Sequence, residues 1–93
     1  QHWAATQNNL GNTLHEQGIR NGGEAGTRLL TQSEEAYRKA LEVRTRKDLS
    51  QDWAATQNNL GTTLHDRGIR TGGKAGTRLL TQSEEAYRKA LEV

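Results

Sequence analysis

Cysteine is absent from the 93 residues, which excludes a disulfide framework and any thiolate metal site. That absence suits a reducing compartment, and a cytoplasmic location is expected. Proline is absent as well, so nothing removes a backbone donor and long uninterrupted helices are permitted. No apolar run approaches the ~18 residues of a membrane span, and no signal-peptide pattern is present. Aromatic residues make up 4% and apolar residues 31% of the chain. That is a thin supply for a free-standing core, since below about 70–80 residues one core rarely yields more than ~3–5 kcal/mol. No charge of one sign dominates: 13 basic and 11 acidic residues are interspersed and leave a net +2. A nucleic-acid footprint would need a basic stripe, so a nucleic-acid partner is not expected.

What the chain does have is repetition. Trp3-Ala4-Ala5-Thr6-Gln7-Asn8-Asn9-Leu10-Gly11 returns unchanged as Trp53 to Gly61, and residues 1–43 match residues 51–93 at 37 of 43 positions. The six differences are His2/Asp52, Asn12/Thr62, Glu16/Asp66, Gln17/Arg67, Asn21/Thr71 and Glu24/Lys74. A period of about 20–50 residues is the signature of a stacked array, in which each unit needs its neighbour to cover an apolar face. The units are 1–50 and 51–93. The chain starts without Met and stops inside its second period, so it is expected to be an excerpt of a longer array, with its uncovered ends stacking end to end or exchanging helices between chains.

Within each unit the spacing predicts two helices and no strand. Trp3, Leu10 and Leu14, flanked by Ala4 and Gly11, form one stripe over a helix from 2 to 17. Gly11 inside it costs about 0.8–1 kcal/mol relative to Ala and marks a close helix approach. Gly18 is placed as the C-terminal stop. Residues 18–27 hold four glycines and read as a loop pinned by Ile19. A second helix is expected from 27 to 47, with Thr27 as N-cap or Thr31 and Glu34 as a capping box one turn later. Its stripe is Leu30, Ser33, Tyr37, Ala40, Leu41 and Arg44, widened by Leu29, Ala36 and Val43, with Arg44, Arg46 and Lys47 at its end. Asp48, Leu49 and Ser50 form the connection, with Ser50 as the next N-cap and Leu49 as its staple. The second unit repeats the plan: helix 51–67, loop 68–77, helix 77–93. The fold class is all-α.

Helix, turn, helix, with Leu10-Gly11 in the first helix and Ala40-Leu41 late in the second, resembles the tetratricopeptide repeat. Leu14 stands at the family's Tyr position, Tyr37 at its Phe, and Ser33 at the Ala before it. The second unit matches identically through Leu60-Gly61, Leu64, Ser83, Tyr87 and Ala90-Leu91. Gln7 occupies the usual Trp position, with Trp3 one turn earlier, and Thr45 lies near the place of the closing Pro. The period is 50 residues instead of about 34. Asn-Asn-Leu-Gly and the long period are more similar to the extended repeats of kinesin light chain and of bacterial multi-repeat proteins. The resemblance implies a right-handed α-solenoid of antiparallel hairpins acting as a protein-interaction scaffold, not an enzyme. It implies stacking roles for Trp3, Leu10, Gly11, Leu14, Tyr37, Ala40 and Leu41, and for Trp53, Leu60, Gly61, Leu64, Tyr87, Ala90 and Leu91.

The same resemblance puts the first helix of each unit on a concave, peptide-binding face. By register that face shows Asn8, Asn12, His15 and Glu16, then Asn58, Thr62, His65 and Asp66, with Ala5 and Ala55 among them and Asn9 and Asn59 at the edge. An Asn amide both donates and accepts, so it can bond a peptide backbone without demanding a sequence. The alternative is that these groups bond adjacent helices and the repeat is a self-assembly element without a separate ligand. Four of the six differences fall on or beside the first helix, as a variable surface would. Gly72-Gly73-Lys74-Ala75-Gly76-Thr77 has the letters of a phosphate-binding loop in the wrong order, and no strand precedes it. His15 and His65 lack a nameable third ligand, so no metal, cofactor or catalytic set is expected. Glu34-Glu35 and Glu84-Glu85 read as acidic residues near a helix start.

Overall fold

The computed structural model describes residues 2–45 and 50–92. These form four α-helices: α1 (His2–Arg20), α2 (Gly23–Val43), α3 (Ser50–Thr71) and α4 (Gly73–Leu91). The chain is all-α, and no strand occurs among the described residues. α1 packs on α2 and α3 on α4 as two hairpins, and α2 packs on α3 to join them. α1 touches α3 only lightly, and α4 meets neither α1 nor α2 among the described residues. The Cα framework measures 38 × 24 × 15 Å.

The helices are longer, and the turns shorter, than the glycine content predicts. α1 runs on through Gly18 and Ile19 to Arg20, and α2 starts at Gly23. Residues 18–27 are therefore not a loop: only Asn21 and Gly22 connect the helices. In the second unit Gly72 alone separates α3 from α4, so the 68–77 loop is likewise absent. The reason is steric. Gly18 and Gly26 face each other where α1 and α2 meet; a Cβ on Gly18 would sit 2.8 Å from Leu30 Cδ2 and 3.1 Å from the Gly26 carbonyl. A Cβ on Gly26 would run into the Asn21 carbonyl and the Arg70 guanidinium, and one on Gly76 would lie 2.6 Å from the Gly68 carbonyl. The glycines let two backbones touch, which outweighs their poor helix propensity. The turns themselves use left-handed backbone at Gly23 (φ +60°) and Gly73 (φ +59°), a region other residues enter at a cost.

Several local expectations change with this geometry. Thr27 and Thr31 are not caps; they lie inside α2, where their hydroxyls donate to the carbonyls of Gly23 and Thr27. The N-cap is Gly22, which makes no side-chain capping bond. Ile19 is not an anchor, being about half exposed. α2 ends at Val43, short of residue 47; Arg44 follows it as a buried C-cap. Arg46, Lys47, Asp48 and the Leu49 staple lie outside the described residues, while Ser50 opens α3 as its first residue. α4 begins at Gly73 and ends at Leu91, and Val93 lies outside the described residues.

Gly11 does mark a close approach: its Cβ would fall 2.5 Å from the Tyr37 ring, and one on Gly61 2.9 Å from Tyr87. Ser33 Oγ donates to the Gly11 carbonyl (2.8 Å) and Ser83 Oγ to that of Gly61 (2.7 Å). Each hairpin thus carries the same knob and the same bond. Tyr37, Leu60, Leu64, Leu79 and Ala86 pack as the central apolar cluster, with Leu41 against it. Ala36 and Ala40 are both buried and form a small-residue patch on α2. Equivalent residues do not share one fate, however. Leu10 is 47% exposed and Leu60 3%; Leu30 is fully buried and Leu80 36% exposed. Leu30 and Leu60 lie on the helices that join the hairpins, and Leu10 and Leu80 lie on the outer ones.

Candidate interaction surface

The first-helix face begins with the seam it overlies. Between the hairpins the contact is polar as well as apolar: Thr56, Gln57 and Thr63 on α3 and Ser33, Glu34 and Arg44 on or beside α2 are all buried. Arg44 Nη1 donates to Thr56 Oγ1 (2.9 Å), and Thr56 Oγ1 donates to Asn8 Oδ1 (3.0 Å). Asn59 Nδ2 adds a bond to the same Asn8 oxygen (3.3 Å). Ser33 and Thr63 share a hydroxyl contact of 3.3 Å. Buried polar groups are tolerated when they find partners of this kind.

Arg67 and Glu34 form the charged part of the seam. Arg67 Nε lies 2.5 Å from Glu34 Oε2, but those two atoms lack hydrogen-bond alignment, so the contact is an ion pair rather than a directed bond. Arg67 Nη1 also donates to Thr31 Oγ1 (3.1 Å). Burial pushes the Glu34 carboxyl above the usual glutamate range, against the lowering influence of Arg67 and Arg38. Burial likewise raises the Tyr37 phenol. Glu34 is therefore no acidic residue near a helix start: α2 begins eleven positions earlier, at Gly23, and its side chain is enclosed. Arg70 completes the seam by donating to the carbonyls of Asn21 (2.9 Å) and Ile19 (3.1 Å), which the end of α1 leaves free.

The eight candidate peptide-binding residues divide. Asn8 is half-buried and committed to Thr56 and Asn59 across the seam. Asn12, exposed, accepts from the Tyr37 hydroxyl at 2.5 Å. His15 Nε2 meets Asp66 Oδ2 at 2.6 Å, joining the two units; His65 Nδ1 lies 3.7 Å from Asp66 Oδ1. Thr62 shares a 2.7 Å contact with the Tyr87 hydroxyl and donates to the Asn58 carbonyl. Glu16 lies 3.7 Å from Arg20, both well exposed. Asn58 and His65 are exposed, and Asn9 is exposed at the edge. Between α1 and α3, Asn12, His15, Glu16, Tyr37, Asn59 and Thr62 line an open cleft of ≈ 370 Å³. On another face a cleft of ≈ 450 Å³ runs over Leu60 and Leu64 between Arg38, Glu42, Glu85 and Lys89.

Two of the positions that differ between the units, Asp66 and Arg67, turn out to bond the neighbouring unit rather than face outward. Sequence reasoning missed Thr56, Thr63 and Arg67 as seam residues. The signal was present: Thr56, Leu60, Thr63, Leu64 and Arg67 recur at helical spacing as a second stripe beside the apolar one. Among the described residues no three His, Cys, Asp or Glu side chains gather around a metal-sized site, and no helix is long and apolar enough to cross a membrane. No family model matches the chain, and no curated protein or solved structure is significantly similar to it.

Proposed function

We propose that the chain is a segment of a tetratricopeptide-like solenoid that binds an extended protein segment along its first-helix face. The cleft between α1 and α3 carries this reading. It gathers amide, hydroxyl, imidazole and carboxylate groups from both units on an open surface. The hairpins behind that surface are held by their own seam. In a right-handed superhelix this face is the concave one, and each added unit lengthens the groove with the same side chains. Asn12 then bonds the backbone of the bound segment, and Glu16 biases its charge, both from the wall of the cleft. Nothing in the arrangement requires a chemical step.

Short peptides presented on an array, probed with the 93-residue chain, test this. Asn12→Ala combined with Glu16→Ala is expected to weaken captured sequences at least tenfold, about 1.4 kcal/mol, with the helical circular dichroism signal unchanged. Unaltered capture by the double variant would remove the first-helix face from the function.

A further inference from the structure

The two outward faces of the chain are duplicates of the two halves of a junction already made inside it. At that junction α2 presents Leu30, Ser33, Glu34 and Tyr37, and α3 presents Thr56, Leu60, Thr63 and Leu64, all buried. α4 carries the α2 set unchanged as Leu80, Ser83, Glu84 and Tyr87, with Leu80 and Glu84 exposed. α1 carries the α3 set unchanged as Thr6, Leu10, Thr13 and Leu14, with the first three exposed. Surfaces identical to two mated surfaces are complementary to each other.

We propose that α4 of one copy docks on α1 of a second copy, in the register by which α2 meets α3. Most of the internal bonds then have counterparts across the two copies. Ser83 meets Thr13 as Ser33 meets Thr63. Asn58 accepts from Thr6 and Asn9 as Asn8 accepts from Thr56 and Asn59. Arg20 reaches the carbonyls of Ile69 and Thr71 as Arg70 reaches those of Ile19 and Asn21. His65 meets Glu16 as His15 meets Asp66. Such a contact is head-to-tail and leaves a fresh face at each end, so copies add in series instead of stopping at a dimer.

Two positions weaken it: no residue of the 93 stands where Arg44 donates to Thr56 inside the chain, and residue 17 differs. Where the internal junction sets Arg67 against Glu34, the contact between copies sets Gln17 against Glu84. Glu84 is meanwhile held by Arg88 on its own helix at 2.8 Å and must give up solvent without a cation opposite. Residue 17 therefore sets the strength of stacking, and the internal junction outlasts the one between copies.

Sedimentation velocity over a concentration series tests the proposal with the intact 93-residue chain. The expected result is an average mass that rises with concentration past that of a dimer. Gln17→Arg, a change at an exposed side chain, is expected to shift the series to roughly tenfold lower concentration. Gln17→Glu should suppress association, and Gln17→Glu combined with Glu84→Lys should restore it. A strict monomer at roughly millimolar concentration would overturn the proposal. A series that ends at a dimer, or one that Gln17→Arg leaves unmoved, would overturn the register. No peptide enters this assay, so its outcome is independent of the groove.

Discussion

Gly22 and Gly72 occupy the same place in their units, yet their backbones differ. Gly22 is the N-cap of α2 at φ −95°, ψ 177°, and a Cβ added there meets nothing within 4 Å. That extended conformation is the one Asp and Ser adopt at an N-cap, where the side chain accepts from an otherwise unpaired amide. Gly72 sits at φ 68°, ψ −179°, a region that only glycine enters readily. The same substitution should therefore act with opposite signs. Gly22→Asp is expected to stabilise the chain by about 0.5–1 kcal/mol, through the cap and through a less flexible unfolded chain. Gly72→Asp should cost about 1–3 kcal/mol. Urea denaturation of the two variants at one protein concentration decides it. Neither conformation was legible in the sequence, because the strings around the two glycines differ only in Asn21/Thr71 and Glu24/Lys74, and neither difference specifies the glycine backbone.

At the scale of the element, α2 and α3 are joined across a carboxylate whose charged form burial disfavours. Glu34 is enclosed, and burial lifts its pKa above the ordinary value despite Arg67 and Arg38. In the window between the ordinary and the raised pKa, the folded chain holds a proton that the unfolded chain has released. The Glu34 contribution to stability is thus fully present below the ordinary glutamate range and declines as pH rises through the folded pKa. Glu34→Gln is expected to abolish this slope, so the stability difference between wild type and variant should move against the wild type as pH rises through that window. Arg67→Gln, which places in the second unit the residue that the first unit carries, leaves the buried charge without its nearest cation. It is expected to cost about 1–3 kcal/mol at neutral pH and less where Glu34 is protonated. Chemical denaturation of the three proteins at a series of pH values measures both effects. The pairing had a trace in the sequence, the change from Gln17 to Arg67, but a single helix cannot show which residue lies opposite.

For the whole molecule, position in the stack outweighs residue identity. Leu10 and Leu60 lie in identical nine-residue strings, and only the second has a neighbouring hairpin over it. Leu60→Ala is expected to cost about 2–5 kcal/mol, the range for opening a buried cavity. Leu10→Ala should stay within about 0.5 kcal/mol when measured on dilute, unassociated chain. Thermal or urea unfolding compares them, and the Leu10 effect should grow with protein concentration if α1 is covered by a second copy.

What the sequence determined by itself was the helical class, the two units and the register of their apolar stripes. Proline is missing, the apolar spacing outside the glycine-rich stretches is helical, and 37 identities in 43 positions repeat the plan. Gly11 as a point of close approach was legible for the same reason, since it is a local property of one helix face. The tertiary structure alone decided that the glycine-rich stretches are helix ends pressed together, because intrinsic propensity cannot weigh the packing that offsets it. It alone decided that Asn8, His15, Asp66 and Arg67 bond across the seam. Periodicity tells which side of a helix is suited to burial, and only the neighbouring helix decides whether it is covered and by what.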